Sequence, residues 1–337
     1  MDFVTRIGDG LFSGQDPFRI TGANNYYLGN VEEQTAASVL DLAAGIGCNT
    51  LRIWALAGRD EEALTRLDRA IYLARQRGIR VILTLENYWK DFGGVPAYLN
   101  RFALGDTSEF YCDSRCRDLY RSSIEKIITR FNAFTCTRYC DEPAILAWEL
   151  MNEPRCPGVA AGEMILLAWI EEMSRFIRNL APYQLIAAGD EGFFQWQKAD
   201  SWLYDGSQGV SCEAILALDS IDFGTYHLYT DQGWARSVNA AQFGRRWIRE
   251  HIEAGNRANK PILLEEFGVS LKPEARAAVY AVWLDEVRAQ GGLGAMVWMI
   301  GLPQAPAQPY ALDAYAITEG PELDVLRLHA QLMRQGS

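Results

Sequence analysis

Eight short apolar runs alternate with stretches of helical periodicity along the whole chain, and no Pro/Gly-rich linker or low-complexity segment divides them. The apolar runs are largely continuous in Ile, Leu, Val and Ala, which is typical of parallel strands covered on both faces. Eight strands that alternate with helices predict an α/β fold, the (β/α)8 or TIM barrel, in a single domain over residues 1–337. A doubly wound sheet is the alternative, but no Gly-x-Gly-x-x-Gly opens a helix after the first run.

The same patterns predict where the elements lie. The predicted strands are residues 20–28, 48–55, 80–89, 144–153, 185–191, 221–229, 261–268 and 294–301. The predicted helices are residues 32–44, 61–76, 115–131, 163–180, 240–254, 274–290 and 322–333. Because the chemistry of such barrels lies at the carboxyl ends of the strands, these ends are where functional residues are expected.

Charge and composition exclude several classes of function. The chain has 32 basic and 43 acidic residues and a formal net charge of −11, so no nucleic-acid partner is expected. No apolar run approaches the roughly 18 residues of a membrane span. The N-terminus lacks the pattern of a secretory signal, which predicts a cytoplasmic protein, or a secreted one if a signal has been removed. Nothing in the sequence indicates an oligomeric state.

Seven cysteines include two C-x3-C pairs, Cys112 with Cys116 and Cys136 with Cys140. The helical pattern between the pairs would separate them by roughly 30 Å at a rise of about 1.5 Å per residue, so one four-cysteine zinc site is not expected. The alternatives are free thiols or two local disulfides. With only three histidines in the chain, no metal and no cofactor are expected.

Two carboxyl groups stand at the ends of predicted strands on opposite sides of the barrel mouth. The fourth predicted strand ends with Glu153, and the seventh carries Glu266 near its end. Hydrolysis of a glycosidic bond needs such a pair, in which one carboxyl protonates the leaving oxygen and the other attacks the anomeric carbon or activates water. Since side chains alternate along a strand, only one of Glu265 and Glu266 can point at the mouth, and Glu265 is interpreted as a structural or solvated neighbour.

Other strand-end residues could tune these carboxyl groups and bind a sugar. Arg52, if paired with Glu266, would keep that carboxylate charged. Tyr229 could donate a hydrogen bond to the same carboxylate, and His227 is a second residue that could shift the pKa values apart. Indole rings offer flat apolar faces on which the C–H faces of sugars stack. The tryptophans considered for this role are Trp54, Trp89, Trp234 and Trp298.

The run WELMNEPRC at residues 148–156 strongly resembles the strand-four motif of the glycoside hydrolase family 5 β-mannanases. Further motifs of that family match in order, so that the resemblance extends from about residue 18 to about residue 330. They are GANNYYL at 22–28, LRIW at 51–54, DFGG at 91–94, GDEGF at 189–193, DFGTYHLY at 222–229, EEFG at 265–268 and GAMVWM at 294–299.

The resemblance implies roles for individual residues. Glu153 of the Asn-Glu-Pro motif would be the general acid/base and Glu266 the nucleophile of a retaining enzyme, whose carboxyl groups lie about 5–5.5 Å apart. Asn152 would bind the 2-hydroxyl of the sugar under attack, and Trp298 would be the platform beneath that sugar. The residues implied to support the two glutamates are Arg52 and Tyr229 for the nucleophile and His227 for the acid/base.

The resemblance also implies a substrate cleft, with Arg155 and Glu191 on its leaving-group side. The full set of expected substrate-binding residues is Trp54, Asn87, Trp89, Arg155, Glu191, Trp234 and Trp298.

Three loops depart from the family pattern. Residues 57–60 lead almost directly from the second predicted strand into a helix. Residues 301–311 are short and Pro-rich, and residues 312–315, LDAY, replace the usual aromatic-Asp-Gly-Phe. Residues 86–88, ENY, stand where relatives tend to have an apolar residue and two asparagines. Because these loops form the glycone walls of the cleft, the preferred substrate length stays open.

The activity implied is a retaining endo-β-1,4-mannanase that acts on mannan, glucomannan, galactomannan or manno-oligosaccharides by a two-glutamate double displacement. An exo-acting β-mannosidase on short oligosaccharides is the close alternative, favoured by the altered loops and the missing signal. A β-1,4-glucanase is a further alternative, opposed by the motifs of the fifth and sixth strands. A non-catalytic sugar-binding barrel is the remaining one, opposed by the presence of both glutamates.

Overall fold

The computed structural model describes residues 1–56, 60–199, 201–235, 239–304 and 312–335. Eight parallel strands surround one axis, as the sequence predicts, and helices cover their outer face. The barrel strands are β1 (Ile20–Asn24), β2 (Thr50–Trp54), β3 (Arg80–Thr84), β4 (Ile145–Glu149), β5 (Leu185–Ala187), β6 (Gly224–Tyr229), β7 (Ile262–Gly268) and β8 (Gly294–Val297).

The strands pair in the order β5–β4–β3–β2–β1–β8–β7–β6. Separate hydrogen bonds close the seam between β5 and β6. The backbone N–H of Asp222 donates to the carbonyl of Ile186 at 2.9 Å, and the Asp222 carboxylate accepts from the N–H of Ile186 at 2.7 Å. Nearer the mouth, the N–H of His227 donates to the carbonyl of Glu191 at 3.2 Å. The barrel is therefore closed, and the carboxyl ends of all eight strands meet at one rim.

The helices follow the apolar periodicity closely where they are long. The segment from Glu61 to Gln76 has the predicted bounds, and its first turn is capped by the Asp60 side chain, which accepts from the N–H of Ala63. Three shorter helices were not predicted, because fewer than three turns give little periodicity. The helices are α1 (Glu33–Gly45), α2 (Glu61–Gln76), α3 (Gly94–Phe102), α4 (Thr107–Cys112), α5 (Ser114–Ile128), α6 (Gly162–Leu180), α7 (Cys212–Leu216), α8 (Ala240–Ala258), α9 (Pro273–Ala289) and α10 (Pro321–Gln335).

Most of the predicted strands are too long at their carboxyl ends, whereas β6 and β7 end at the predicted residues, Tyr229 and Gly268. β3 ends at Thr84, five residues earlier than predicted, and β4 ends at Glu149, four residues earlier. The chain leaves the sheet through left-handed backbone conformations, with φ of 54° at Glu153 and 84° at Gly189. The apolar runs continue past the strands because the following residues fold into the barrel mouth, where they stay buried.

The apolar core has two parts. One lies between the strands and the helices, and the other fills the lower barrel interior. The floor of that interior is closed by an N-terminal hairpin, Val4–Ile7 with Gly10–Ser13, which the sequence analysis did not predict. Val4 and Leu11 of the hairpin are buried against the inward-facing side chains of the strands. This leaves the opposite end of the barrel open.

All seven cysteines are free thiols, so of the two alternatives the local disulfides are wrong. Cys112 is exposed at the end of α4, whereas Cys116 is buried in α5. Among the described helices, none combines the length and the apolar character that crossing a membrane requires.

Candidate active site

Glu153 and Glu266 face each other across the barrel mouth, as predicted. Glu153 lies four residues beyond the end of β4, and Glu266 lies within β7. A carboxylate oxygen of each, together with a ring nitrogen of His227, lie within 4.8 Å of one another. Although such a trio could ligate a cation, the His227 nitrogen and the facing oxygens already take part in hydrogen bonds with one another or with neighbouring donors. The arrangement is that of a hydrogen-bonded acid–base group.

The Glu266 carboxylate is held by two buried donors. Arg52 Nη1 donates to its Oε1 at 2.5 Å, and the hydroxyl of Tyr229 donates to its Oε2 at 2.5 Å. Burial raises the pKa of Glu266, while the charges of His227 and Arg52 oppose this rise. Both donors bind the ionised form, so the geometry prepares this carboxylate as a nucleophile.

Glu153 receives hydrogen bonds from two sides. Nδ1 of His227 lies 2.8 Å from its Oε1, and the indole N–H of Trp89 donates to its Oε2 at 2.5 Å. Burial opposes ionisation of Glu153, but the hydrogen bond and charge of His227 and the charge of Arg155 lower its pKa to about 2. Burial also opposes the charged form of His227, yet the surrounding carboxylates, Glu266 first, raise its pKa well above the ordinary value. In the substrate-free site the proton of this pair therefore rests on His227.

Glu265 also points into the site, which corrects the expectation from strict alternation. Tyr226 pairs with Leu264 and His227 pairs with Glu266, so Glu265 has no partner residue on β6. This β-bulge places one extra residue in β7 and turns both carboxyl groups inward. Glu265 is completely buried, so it is not a solvated neighbour, and its Oε2 lies 3.6 Å from Arg52 Nε.

Arg52 is the centre of a buried network. Its guanidinium binds both oxygens of Glu149 at 2.6 Å and also donates to Asn152 Oδ1 at 2.8 Å. The amide nitrogen of Asn152 in turn donates to Asn87 Oδ1 at 3.0 Å. Asn87 is fully buried behind Asn152 and does not line the cleft, so its predicted contact with substrate is replaced by a positioning contact.

An open cleft of about 440 Å³ lies above the two glutamates. Aromatic rings line both of its ends, and the indole N–H of Trp298 is fixed by a 2.7 Å hydrogen bond to the carboxylate of Asp313. The residues that line the cleft are Trp54, Trp89, Asn152, Glu153, Arg155, Glu191, Trp202, Tyr229, Gln232, Trp234, Glu266, Trp298, Asp313 and Tyr315.

Arg155 is clamped at one end of this cleft. Its guanidinium makes two 2.6 Å hydrogen bonds to Glu191 and lies 5.0 Å from the ring centroid of Trp89 and 4.9 Å from that of Phe193. Burial and the charge of Glu153 raise the pKa of Glu191 to about 8, although Arg155 opposes this. The clamp presents a planar cation and an aromatic face side by side, which suits hydroxyl groups and sugar rings.

Several residues at the site were missed by sequence reasoning. Glu149 lies inside the WELMNEPRC motif, but a polar residue within a long apolar run carries no signal that distinguishes a functional role. Trp202 and Asp313 belong to long loops, where periodicity gives no signal. The predicted departure at residues 57–60 lies mostly outside the described residues, and so does most of residues 301–311.

Comparisons with known sequences and structures identify the family of the chain. Residues 53–278 match the profile of the GH family 5 β-mannosidase-like family. A rice protein (Oryza sativa subsp. japonica), mannan endo-1,4-β-mannosidase 7, is 31% identical over 98% of this chain and 96% of its own length. The endo-1,4-β-mannanase of Rhizomucor miehei superposes with a TM-score of 0.89 at 30% identity, over 99% of this chain and all of that one.

The endo-β-1,4-mannanase of Thermotoga petrophila superposes with a TM-score of 0.87 at 34% identity, over 95% of this chain and 78% of that one. Superposition at this level over nearly the whole chain shows that these mannanases share its barrel fold. The chain therefore belongs to glycoside hydrolase family 5, in its β-mannosidase-like group.

Proposed function

We propose that this protein is a retaining endo-β-1,4-mannanase, with Glu266 as nucleophile and Glu153 as general acid/base, that cleaves mannan, glucomannan or galactomannan. The observation that carries the proposal is the spacing of the two carboxyl groups, whose facing oxygens lie within 4.8 Å. Retaining glycosidases place them about 5–5.5 Å apart, whereas inverting enzymes need about 6.5–9.5 Å to admit water. The rice, Rhizomucor and Thermotoga relatives, all named for endo-acting cleavage of β-1,4-mannan, support the choice of sugar.

The proposed reaction has two displacements. In the first, Glu266 Oε attacks the anomeric carbon while Glu153 gives its proton to the glycosidic oxygen, so the leaving chain departs as an alcohol and a glycosyl–enzyme ester forms. In the second, Glu153 takes a proton from water, whose oxygen attacks the same carbon and releases Glu266. Two inversions restore the original anomeric configuration. At the end of the cycle Glu153 is protonated and Glu266 is ionised, as at the start.

The proton must be on Glu153 when the bond breaks. In the substrate-free site it rests on His227, 2.8 Å away, so one transfer along this hydrogen bond protonates the Glu153 carboxylate. Glu266 needs the opposite state, and the hydrogen bonds from Arg52 and Tyr229 stabilise its ionised form. Protonation of Glu266 at low pH and loss of the shared proton at high pH should give a bell-shaped dependence of kcat/KM.

The remaining lining residues are assigned to substrate. Asn152 contacts the 2-hydroxyl of the sugar under attack, and Trp298, fixed by Asp313, lies beneath that sugar. Trp54 and Trp234 are the more buried of the cleft tryptophans and present only ring edges to the sugar. Trp89 is 39% exposed and presents a ring face. Arg155 and Glu191 bind the leaving chain at the opposite end of the cleft.

The test is the time course of products from mannohexaose, with cellohexaose as the control substrate. Early dimers, trimers and tetramers are expected from an open cleft. Release of mannose one unit at a time would identify the exo-acting alternative, and cleavage of cellohexaose alone would identify a glucanase. Tight binding without turnover of either would identify a sugar-binding barrel.

Substitution of the two glutamates tests their roles. Glu266→Ala should abolish turnover with the fold intact, and near-normal activity would contradict the nucleophile assignment. Glu153→Ala should slow hydrolysis of mannan far more than that of an activated aryl β-mannoside, because a good leaving group needs no protonation. Equal losses on both substrates would exclude the acid role. The anomer released first, followed by NMR, decides between retention and inversion.

A further inference from the structure

Two carboxyl groups of the barrel interior take no part in the double displacement. Glu149 at the end of β4 and the bulged Glu265 of β7 are both completely buried, and their side chains are within hydrogen-bonding distance of each other. Two ionised carboxylates so close in a dry interior repel each other strongly, and a single shared proton removes that repulsion. Glu149 also binds Arg52 through both of its oxygens, which requires Glu149 to act as an acceptor.

One carboxyl oxygen of Glu265 could form a hydrogen bond only if it carried a proton. Its Oε1 is buried and accepts a hydrogen bond from no donor among the described residues. A buried carboxylate oxygen without a donor carries its full desolvation cost. If Oε1 is protonated, it donates to the Glu149 carboxylate and the cost disappears. Burial and the neighbouring Glu265 raise the pKa of Glu149 to about 7, although Arg52 opposes the rise, so the two carboxyl groups together favour holding a proton. Because both oxygens of Glu149 accept from Arg52, Oε1 of Glu265 is the place for that proton.

The other oxygen of Glu265 faces the histidine that serves the acid/base. Oε2 lies 3.5 Å from Nε2 of His227, whose Nδ1 lies 2.8 Å from Glu153. Which ring nitrogen keeps a proton is set by the partner of the other one. With an N–H held at Nε2 by Glu265, the one mobile proton of the ring is confined to the side of Glu153.

We propose that Glu265 is a positioning residue that works in its protonated form, donating from Oε1 to Glu149 and accepting at Oε2 from the Nε2–H of His227. The only transfer involved is the passage of one proton between Nδ1 of His227 and Oε1 of Glu153. The inference rests on the proposed function, because it takes Glu153 as the acid/base. The charged and titratable groups that face the pair or His227 are Arg52 from β2, Tyr120 from α5, Glu153 from the loop after β4, Asp190 and Glu191 from the loop after β5, and Glu266 from β7.

The experiment compares two substitutions of the same residue. Glu265→Gln imitates the protonated form, since its amide N–H can donate to Glu149 and its amide oxygen can accept from His227. We expect it to keep at least about a third of the wild-type kcat on mannohexaose. Glu265→Leu preserves the volume without any polar atom, and we expect a loss of about 100-fold in kcat, the usual worth of acid–base catalysis. The loss should be larger on mannohexaose than on an activated aryl β-mannoside.

Glu322 offers a matched control. It is completely buried on α10, outside the cleft, its Oε1 pairs with Arg276 Nε at 2.6 Å, and its Oε2 likewise has no hydrogen-bond partner among the described residues. Glu322→Gln and Glu322→Leu should lower stability without changing the pH profile or the dependence on the leaving group. A Glu265→Leu enzyme that behaves in the same way would reduce Glu265 to a structural residue and overturn the proposal.

Equal losses in Glu265→Gln and Glu265→Leu would show that the ionised carboxylate is needed, which also overturns it. A readout independent of activity is the ¹⁵N NMR signal of the His227 ring, which is simple to assign among three histidines. The wild type should keep a proton on Nε2 across neutral pH, and an Nε2 without a proton would contradict the inference without any variant. If the wild type hydrolyses no β-mannoside, the proposed function fails, and this signal still decides the position of the proton.

Discussion

The indole N–H of Trp89 and the imidazole of His227 approach the Glu153 carboxylate from two directions. A hydrogen bond to an ionised carboxylate contributes about 1.5–3 kcal/mol, so each donor should lower the pKa of Glu153 by a measurable amount. Trp89 differs from His227 because it cannot itself give up a proton at ordinary pH. It therefore stabilises the ionised carboxylate and keeps its second oxygen in place.

Replacing Trp89 by Phe should retain the aromatic ring beside Arg155 and remove only the hydrogen bond. We expect kcat/KM on mannohexaose to fall about tenfold, and the high-pH limb of the profile to move upward, because Glu153 then holds its proton more tightly. Trp202→Phe is the control, since Trp202 lines the same cleft near Arg155. An unchanged pH profile in Trp89→Phe would show that the hydrogen bond has no part in proton transfer.

Glu86 is a second residue whose charge state depends on its surroundings. It is buried just beyond β3, accepts a hydrogen bond from the Tyr98 hydroxyl at 2.8 Å, and its pKa is raised by burial to about 7. Because the folded protein holds this proton more tightly than the unfolded chain, the associated stabilisation is complete below the unfolded pKa. It is lost progressively as the pH rises to about 7.

The substitution Glu86→Gln should therefore stabilise the protein at pH 8 by about 1–3 kcal/mol and have much less effect at pH 5. The amide imitates the neutral carboxyl group, and no charge has to be buried. Urea denaturation of both proteins at the two pH values measures the difference. Glu125→Gln on the exposed surface of α5 is the control. A difference that does not change with pH would contradict the assigned ionisation.

At the scale of elements, the barrel depends on a side chain to complete one of its seams. β5 has only three residues, and the carboxylate of Asp222 accepts from the N–H of Ile186 where a longer strand would supply a carbonyl. Arg178 of α6 also bonds this carboxylate and so ties the helix to the seam. The seam supports Glu191 and His227 at the rim directly above it.

Asp222→Ala should destabilise the protein by about 2–4 kcal/mol, because a buried N–H and a partly buried guanidinium lose their acceptor. Asp222→Asn keeps the acceptor and should cost less. Asp219→Ala, an exposed position three residues earlier, is the matched control for urea denaturation. If the Asp222→Ala and Asp219→Ala proteins are equally stable, the seam does not depend on this carboxylate.

At the scale of the whole molecule, the N-terminal hairpin and the barrel share one core. Val4 and Leu11 are 3% and 2% exposed and pack with Ile20, Phe223 and other inward-facing residues of the barrel floor. We infer that the chain is one catalytic domain that unfolds cooperatively, because no boundary separates the hairpin from the strands.

Leu11→Ala should lower the free energy of unfolding by about 2–4 kcal/mol, the usual cost of a cavity at a buried leucine. Circular dichroism and tryptophan fluorescence should report a single, coincident transition. Ile7→Ala on the same hairpin is the control, since Ile7 is 65% exposed. Equal midpoints for the two variants would show that the hairpin is not part of the cooperative unit.

The barrel, the family and the positions of the two glutamates were within reach of the sequence, and the barrel and the family are confirmed. The physical reason is that the local signals are strong: eight apolar runs, long amphipathic helices, and motifs such as WELMNEPRC whose residues are close along the chain. The signal for each strand or helix lies within its own segment, so the sequence of elements can be read without knowing which distant residues come into contact.

Other features depended on contacts between distant residues. Strict alternation predicts that Glu265 points away from the mouth, but the bulge forced by pairing with β6 turns it inward beside Glu149. Asn87 has the chemistry of a sugar ligand, yet Asn152 covers it. The proton balance among Glu153, His227 and Glu266 likewise follows from burial and charge across three strands. Composition and spacing determined which groups are present, and only the tertiary structure decided which of them face each other, because electrostatic and hydrogen-bond energies depend on distance in space.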